Sequence, residues 1–160
     1  MVIRFLKKYG LSLLLAGAII WYYFRYKRAA TFDAASVPVV YEDRMQGALA
    51  DSLQYPAIVH YYASWCGPCM TELPAMVLAN QRLENAGFHI YLITDDKLPL
   101  IQQIRRTLPA SWKVWQTTDL HDCSVYTLPT TYVIDKNGVV TYSGTGKCDW
   151  KDENFPEKLN

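Results

Sequence analysis

Cys66 and Cys69 stand two residues apart in "HYYASWCGPCMTELPAM", behind an apolar run of strand character and ahead of one of helical character. Such a pair can clamp a metal, staple the chain or exchange electrons. A structural zinc site needs four ligands, usually as two close pairs. The other two cysteines, Cys123 and Cys148, are 25 positions apart, and nothing further supports a mixed site using His121 and Cys123. A metal is therefore not expected. A staple is no better, because closing so small a loop takes little entropy from the unfolded chain. Redox exchange suits the spacing. At the first turn of a helix, free N–H groups and the helix dipole stabilise the first cysteine as a thiolate. The second lies a turn later on the same face, within reach of a mixed disulfide formed by the first.

The elements needed to hold such a pair are legible on either side. "AIVHYYA" (57–63) and "FHIYLIT" (88–94) read as strands buried on both faces. Between them, 67–86 reads as a long helix kinked at Pro74. "LPLIQQIRRTL" (98–108) reads as a helix and "WKVWQ" (112–116) as a short strand. "TTYVID" and "VVTYSG" flank Lys136-Asn137-Gly138, a hairpin signal. Upstream, "VPVVY" (37–41) reads as an edge strand, where a proline is tolerated, and "EDRMQGALADSL" (42–53) as a helix. The tail from Asp149 reads as polar, with at most a short helix. Strands alternating with helices, then a hairpin, predict an α/β domain: a mixed central sheet with helices on both faces.

The N-terminus is of another kind. Of sixteen Lys and Arg in the 160 residues, Arg4, Lys7, Lys8, Arg25, Lys27 and Arg28 bracket an uncharged run, "GLSLLLAGAIIWYYF". The rest of the chain is mildly acidic, without the basic stripe that nucleic acid would require. The apolar run reaches roughly 22 Å, short of a ~30 Å hydrocarbon core. Phe5, Leu6 and Tyr9 can lengthen it, with Trp21, Tyr22, Tyr23 and Tyr26 at the headgroup level. A cleaved signal peptide has an apolar region this short but ends in small residues before the cut, whereas this run ends in aromatics and "RYKR". The expectation is an uncleaved anchor over 1–28, spanning at about 9–25, a linker over 29–36 and one domain over 37–160. Three basic residues on each side leave its orientation undecided.

The segment 37–150 resembles the thioredoxin superfamily, and within it the membrane-anchored TlpA/ResA-like thiol-disulfide oxidoreductases. The likeness rests on "WCGPC" (65–69), on "CMTELP" (69–74), which matches Cys-x-x-Glu-x-Pro, and on "LPTTYVIDKNG" (128–138). It implies a thioredoxin fold behind an N-terminal transmembrane helix. Cys66 would be the exposed nucleophile and Cys69 the buried resolving thiol. Gly67 and Pro68 would shape the turn, a pair found in reducing members, and Trp65 would help form the docking surface. Pro129 would be cis, presenting the Leu128 backbone to a substrate strand. Glu72, one turn beyond Cys69, would exchange a proton with a thiol. His60 stands where thioredoxins carry a buried acid. It could relay a proton or simply be hydrogen-bonded in the core. The family pattern does not require Cys123 and Cys148: an even cysteine count outside the cytoplasm favours a second disulfide between them, against two independent thiols.

The expected activity is reduction of disulfides in extracytoplasmic proteins, as in cytochrome c or copper-site maturation, by a membrane-tethered monomer. No bound cofactor is needed, and an upstream thiol-disulfide protein would supply electrons. The alternatives are an oxidase that introduces disulfides and a copper-binding chaperone on the same fold, with Met70 or His60 as added ligand.

Overall fold

The computed structural model describes residues 12–21, 31–41, 44–152 and 155. Residues 12–21 form a helix, α1, with every residue exposed. The rest of the expected 9–25 span, and most of the expected anchor, lies outside the described residues. Among the described residues no helix is long and apolar enough to cross a membrane.

Seven strands make one mixed sheet: β1 (Pro38–Val40), β2 (Gln46–Ala48), β3 (Ala57–Tyr61), β4 (His89–Thr94), β5 (Lys113–Gln116), β6 (Thr130–Ile134) and β7 (Val140–Thr145). Their order is β2-β1-β5-β4-β3-β6-β7. The parallel unit β3-β4-β5 is built by two crossovers, α2 (Gly67–Leu78) with α3 (Asn80–Asn85), and α4 (Leu98–Arg105). Both crossovers step the same way along the sheet. Because such connections are right-handed, their helices fall on the same face. Leu73, Met76, Leu83 and Ile101 accordingly pack with Ile58, Leu92 and Val133 in one core.

The expectation of helices on both faces is corrected here. Among the described residues, no α-helix contributes a side chain to the second core. Its Ala57, Val59, Tyr61, Tyr91, Ile93, Tyr132 and Ile134 are covered by Val37, Val39 and the 3-10 turns Leu49–Asp51 and Leu120–Cys123. Phe32 and Ala34, in the expected linker, also pack there, the Phe32 ring 4.8 Å from Tyr132. The folded unit thus begins before Val37.

Three further sequence expectations differ from the structure. The helix expected over 42–53 does not form over 44–53: Gln46–Ala48 pair antiparallel with β1, followed by a 3-10 turn. Tyr41 lies over Gly47, where a Cβ would meet the phenol oxygen at 2.7 Å, and its hydroxyl donates to the Ala48 carbonyl at 2.7 Å. This tertiary contact overrides local helix propensity. β1 is therefore internal, with β2 at the edge. Pro38 is tolerated because it opens the strand and only Val40 pairs with β5. The helix after the cysteines continues through Pro74 and breaks at Ala79. The hairpin forms as expected: Asp135 accepts from Asn137 N–H and Val139 N–H at 2.8 Å each, and Gly138 takes φ 80°.

Candidate active site

The site is built at the end of β3, where the chain leaves the sheet and enters α2. The loop between them is pinned by Asp96, whose two carboxylate oxygens accept from the Ser64 N–H and hydroxyl at 2.8 Å each. Asp96 is itself buried, and no local motif in the sequence marks it. Cys66 caps α2 in an extended conformation, its sulfur accepting from the Cys69 N–H at 3.2 Å. Pro68 falls in the first turn, where its missing N–H costs nothing and its fixed φ suits the helix. Cys66 and Cys69 are joined as a disulfide, with Cα atoms 5.3 Å apart. Cys69 is fully enclosed and Cys66 is 5% exposed, so the expected exposed nucleophile is more sheltered than the sequence implies. Its neighbours are open, with Trp65 at 71% exposure.

Facing this pair, the Leu128–Pro129 peptide is cis. The Pro129 carbonyl accepts from Gly146 N–H at 2.7 Å. Leu128, Trp65, Cys66, Gly67 and Pro68 share a groove of about 400 Å³ with Asp95, Asp119, His121, Val125 and Tyr126. The sequence reading brought only the first five together. The other residues, from the segments after β4 and β5, gave no signal because they have no motif spacing to the cysteines.

Behind the disulfide the surroundings are dry. Glu72 is 3% exposed on α2, one turn past Cys69. Burial raises its pKa, opposed by hydrogen bonds from the Cys148 N–H and Trp150 and by the charge of Lys147. His60 is fully buried, with Nδ1 2.9 Å from the Thr131 hydroxyl, and burial lowers its pKa to about 4. Burial thus holds the imidazole neutral at physiological pH, with Nε2 enclosed and without a hydrogen-bond partner among the described residues.

The expected second disulfide is absent: Cys123 and Cys148 are free thiols. They pack on opposite faces of the sheet, Cys148 against the helix-side core and Cys123 against the other. Cys148 donates to the Thr131 hydroxyl at 3.4 Å, and Cys123 lies 3.4 Å from the Thr117 hydroxyl. Burial raises the pKa of both. Among the described residues no three His, Cys, Asp or Glu side chains are grouped to hold a metal.

A mixed sheet, a Cys-Gly-Pro-Cys disulfide at a helix N-terminus and a facing cis-proline together define a thioredoxin-fold protein with a redox-capable dithiol. A thiol:disulfide interchange protein of the thioredoxin family from Chlorobium tepidum TLS superposes with a TM-score of 0.61 at 23% identity, over 82% of this chain and all of that one. Residues 28–143 match the AhpC/TSA family, and the chain belongs to it. It is also similar to proteins named thiol:disulfide interchange protein DsbE. The one from Pseudomonas aeruginosa is 29% identical over 133 residues, 78% of this chain and 72% of the relative. The one from Xylella fastidiosa (strain 9a5c) is 26% identical over 113 residues, 69% of this chain but 57% of the relative.

Proposed function

We propose that the chain is a membrane-tethered thiol-disulfide oxidoreductase that reduces disulfides in other proteins. The observation that carries this is the Cys66–Cys69 disulfide at the N-terminus of α2, opening onto a groove edged by Leu128. The names of its relatives support the same activity. In the reduced protein the Cys66 thiolate attacks one sulfur of a substrate disulfide, and the other substrate sulfur departs with the electron pair. Cys69 then loses its proton and attacks Cys66, releasing the second substrate sulfur. The substrate gains two electrons and two protons, and Cys66–Cys69 returns to the disulfide.

Glu72 is the group that takes the Cys69 proton. Its raised pKa puts its proton affinity nearer that of a thiol, which favours transfer. The cis Pro129 turns the Leu128 backbone toward an extended substrate segment, while Trp65, Gly67 and Pro68 form the rim it meets. Residues 1–28 hold the domain, which begins by Phe32, on the extracytoplasmic side. The uncharged run flanked by basic residues supports the tether, and the side follows from the resemblance to membrane-anchored TlpA/ResA-like oxidoreductases. The substrates are oxidised envelope proteins, cytochrome c and copper-site precursors among them, and a second thiol-disulfide protein returns the electrons.

Trapping tests the proposal. Cys69→Ser leaves Cys66 without a resolving partner, so mixed disulfides should accumulate on the full chain in its native membrane and be released by reductant. Absence of any such adduct, with Cys66 still alkylatable, would refute the reading. A potential for the Cys66–Cys69 couple near the oxidising end of the thioredoxin-fold range, about −120 mV, would instead mark an oxidase.

A further inference from the structure

Beyond β7 the chain turns back over α2 instead of trailing into solvent. Cys148 N–H donates to Glu72 Oε1 at 2.8 Å, and the Trp150 indole N–H donates to the same oxygen. Arg82, on α3, ties this segment down through its guanidinium, which donates to the Trp150 carbonyl at 3.1 Å and to the Phe155 carbonyl. The Trp150 ring is 2% exposed and stands edge-on to His60, 6.1 Å away, and to Phe155, 5.1 Å away. A tail that reads as polar thus delivers one buried aromatic, and its only polar atom is spent on Glu72.

The two oxygens of that carboxyl differ. Oε1 receives two donors, whereas Oε2 is buried with no hydrogen-bond partner among the described residues. A proton arriving at the group goes to the bare oxygen, because protonating Oε1 would compete with both donors. A carboxyl free to rotate would not keep the two apart.

We propose that Trp150 is a positioning residue for Glu72: with the Cys148 amide it clamps Oε1, leaving Oε2 as the oxygen that exchanges a proton with Cys69. This rests on the acid–base reading of Glu72. In the resolving step the Cys69 S–H bond breaks and an O–H bond forms at Oε2. The sulfur keeps the electron pair, forms the bond to Cys66 and expels the substrate sulfur, and the Oε2 proton then passes to that thiolate through solvent. The clamp also opposes the desolvation of Glu72, since both its donors favour the ionised carboxylate.

The test is the pH dependence of disulfide reduction by the full chain. The titratable or charged groups around Glu72 are Cys69 on its own helix, Tyr142 on β7, Lys147 and Cys148 on the returning segment, and His60 across the Trp150 ring. Trp150→Phe keeps an aromatic ring and removes the N–H. With one charge-assisted donor gone, the Glu72 inflection should move up by about one pH unit, a tenfold gain in proton affinity. The same substitution in a Glu72→Gln background should leave the profile where Glu72→Gln put it. A Trp150→Phe profile that coincides with the unmutated one, while Glu72→Gln alters it, would overturn the clamp and keep the acid–base reading. A Glu72→Gln profile without change would remove that reading and the clamp with it. Should Trp150→Phe not fold, the unmutated chain still decides. Its assigned Trp150 indole N–H resonance should titrate together with the Glu72 carboxyl carbon, and an indole resonance that stays fixed through that titration overturns the proposal.

Discussion

The two sides of the Cys66–Cys69 disulfide differ in nearly every physical respect. The groove side is open, rimmed by exposed Trp65 and Tyr126 and by Asp95, Asp119 and His121. The side facing the sheet is dry, with Glu72, His60 and Trp150 all 3% exposed or less. A dithiol between two such media can hand its two sulfurs different tasks. On the proposed mechanism, the one on the wet side meets a partner, while the one on the dry side gives its proton to Glu72, whose affinity burial has already shifted. The chemistry of the motif is symmetrical; its surroundings are not.

The largest effect should appear where that contrast is removed from the sulfurs themselves. In the reduced full chain, Cys66 should be alkylated on the order of a thousandfold faster than Cys69 near neutral pH, since it is the less enclosed of the two and caps a helix N-terminus. Mass spectrometry of the labelled peptides measures this. Equal rates would mean that the two sides do not distinguish the sulfurs.

A smaller effect should follow from replacing the dry-side carboxyl. Glu72→Gln should slow disulfide reduction by roughly a hundredfold, the lower end for loss of a positioned acid–base group. Stability should move the other way. The folded pKa of Glu72 lies above its ordinary value of 4.5. Between those two pH values the native chain therefore binds the proton more tightly than the unfolded chain. Stability falls as pH rises through that window and the loss persists above it. Gln removes this loss while keeping an acceptor for Cys148 N–H and Trp150. The variant should melt higher than the unmutated chain at pH 8, by about 2–4 °C for each kcal/mol recovered. The difference should shrink below pH 4.5. A melting difference that is constant with pH would place Glu72 outside the dry region.

The smallest effects belong to the cysteines away from the motif. The oxidised chain should titrate two thiols once unfolded without reductant, and four after reduction. In the folded chain Cys123 and Cys148 should react slowly, because burial raises the pKa of each thiol. Finding no free thiol in the unfolded, unreduced chain would restore the second disulfide that the sequence favours.

Much of this architecture was legible in one dimension. The buried strands around 57–63 and 88–94, the hairpin at Asn137-Gly138, the dithiol and Glu72 all depend on short-range periodicity, turn chemistry or contiguous spacing. Those signals survive because neighbours in sequence remain neighbours in the fold. The helix expected over 42–53 failed because β1 offered backbone partners and Tyr41 a contact that only Gly47 admits. The Cys123–Cys148 pairing failed for a related reason: cysteine parity says nothing about which face of a sheet each residue joins. Ser64 and Asp96 are 32 positions apart, and Glu72 and Trp150 are 78 apart. What the sequence alone determined is therefore the reactive pair and the local elements that carry it. What the tertiary structure decided is the wetness of each side and the orientation of the carboxyl. Both are set by which distant segments the right-handed crossovers and the returning C-terminal chain bring against α2, and solvent exclusion is a property of that assembly, not of any stretch within it.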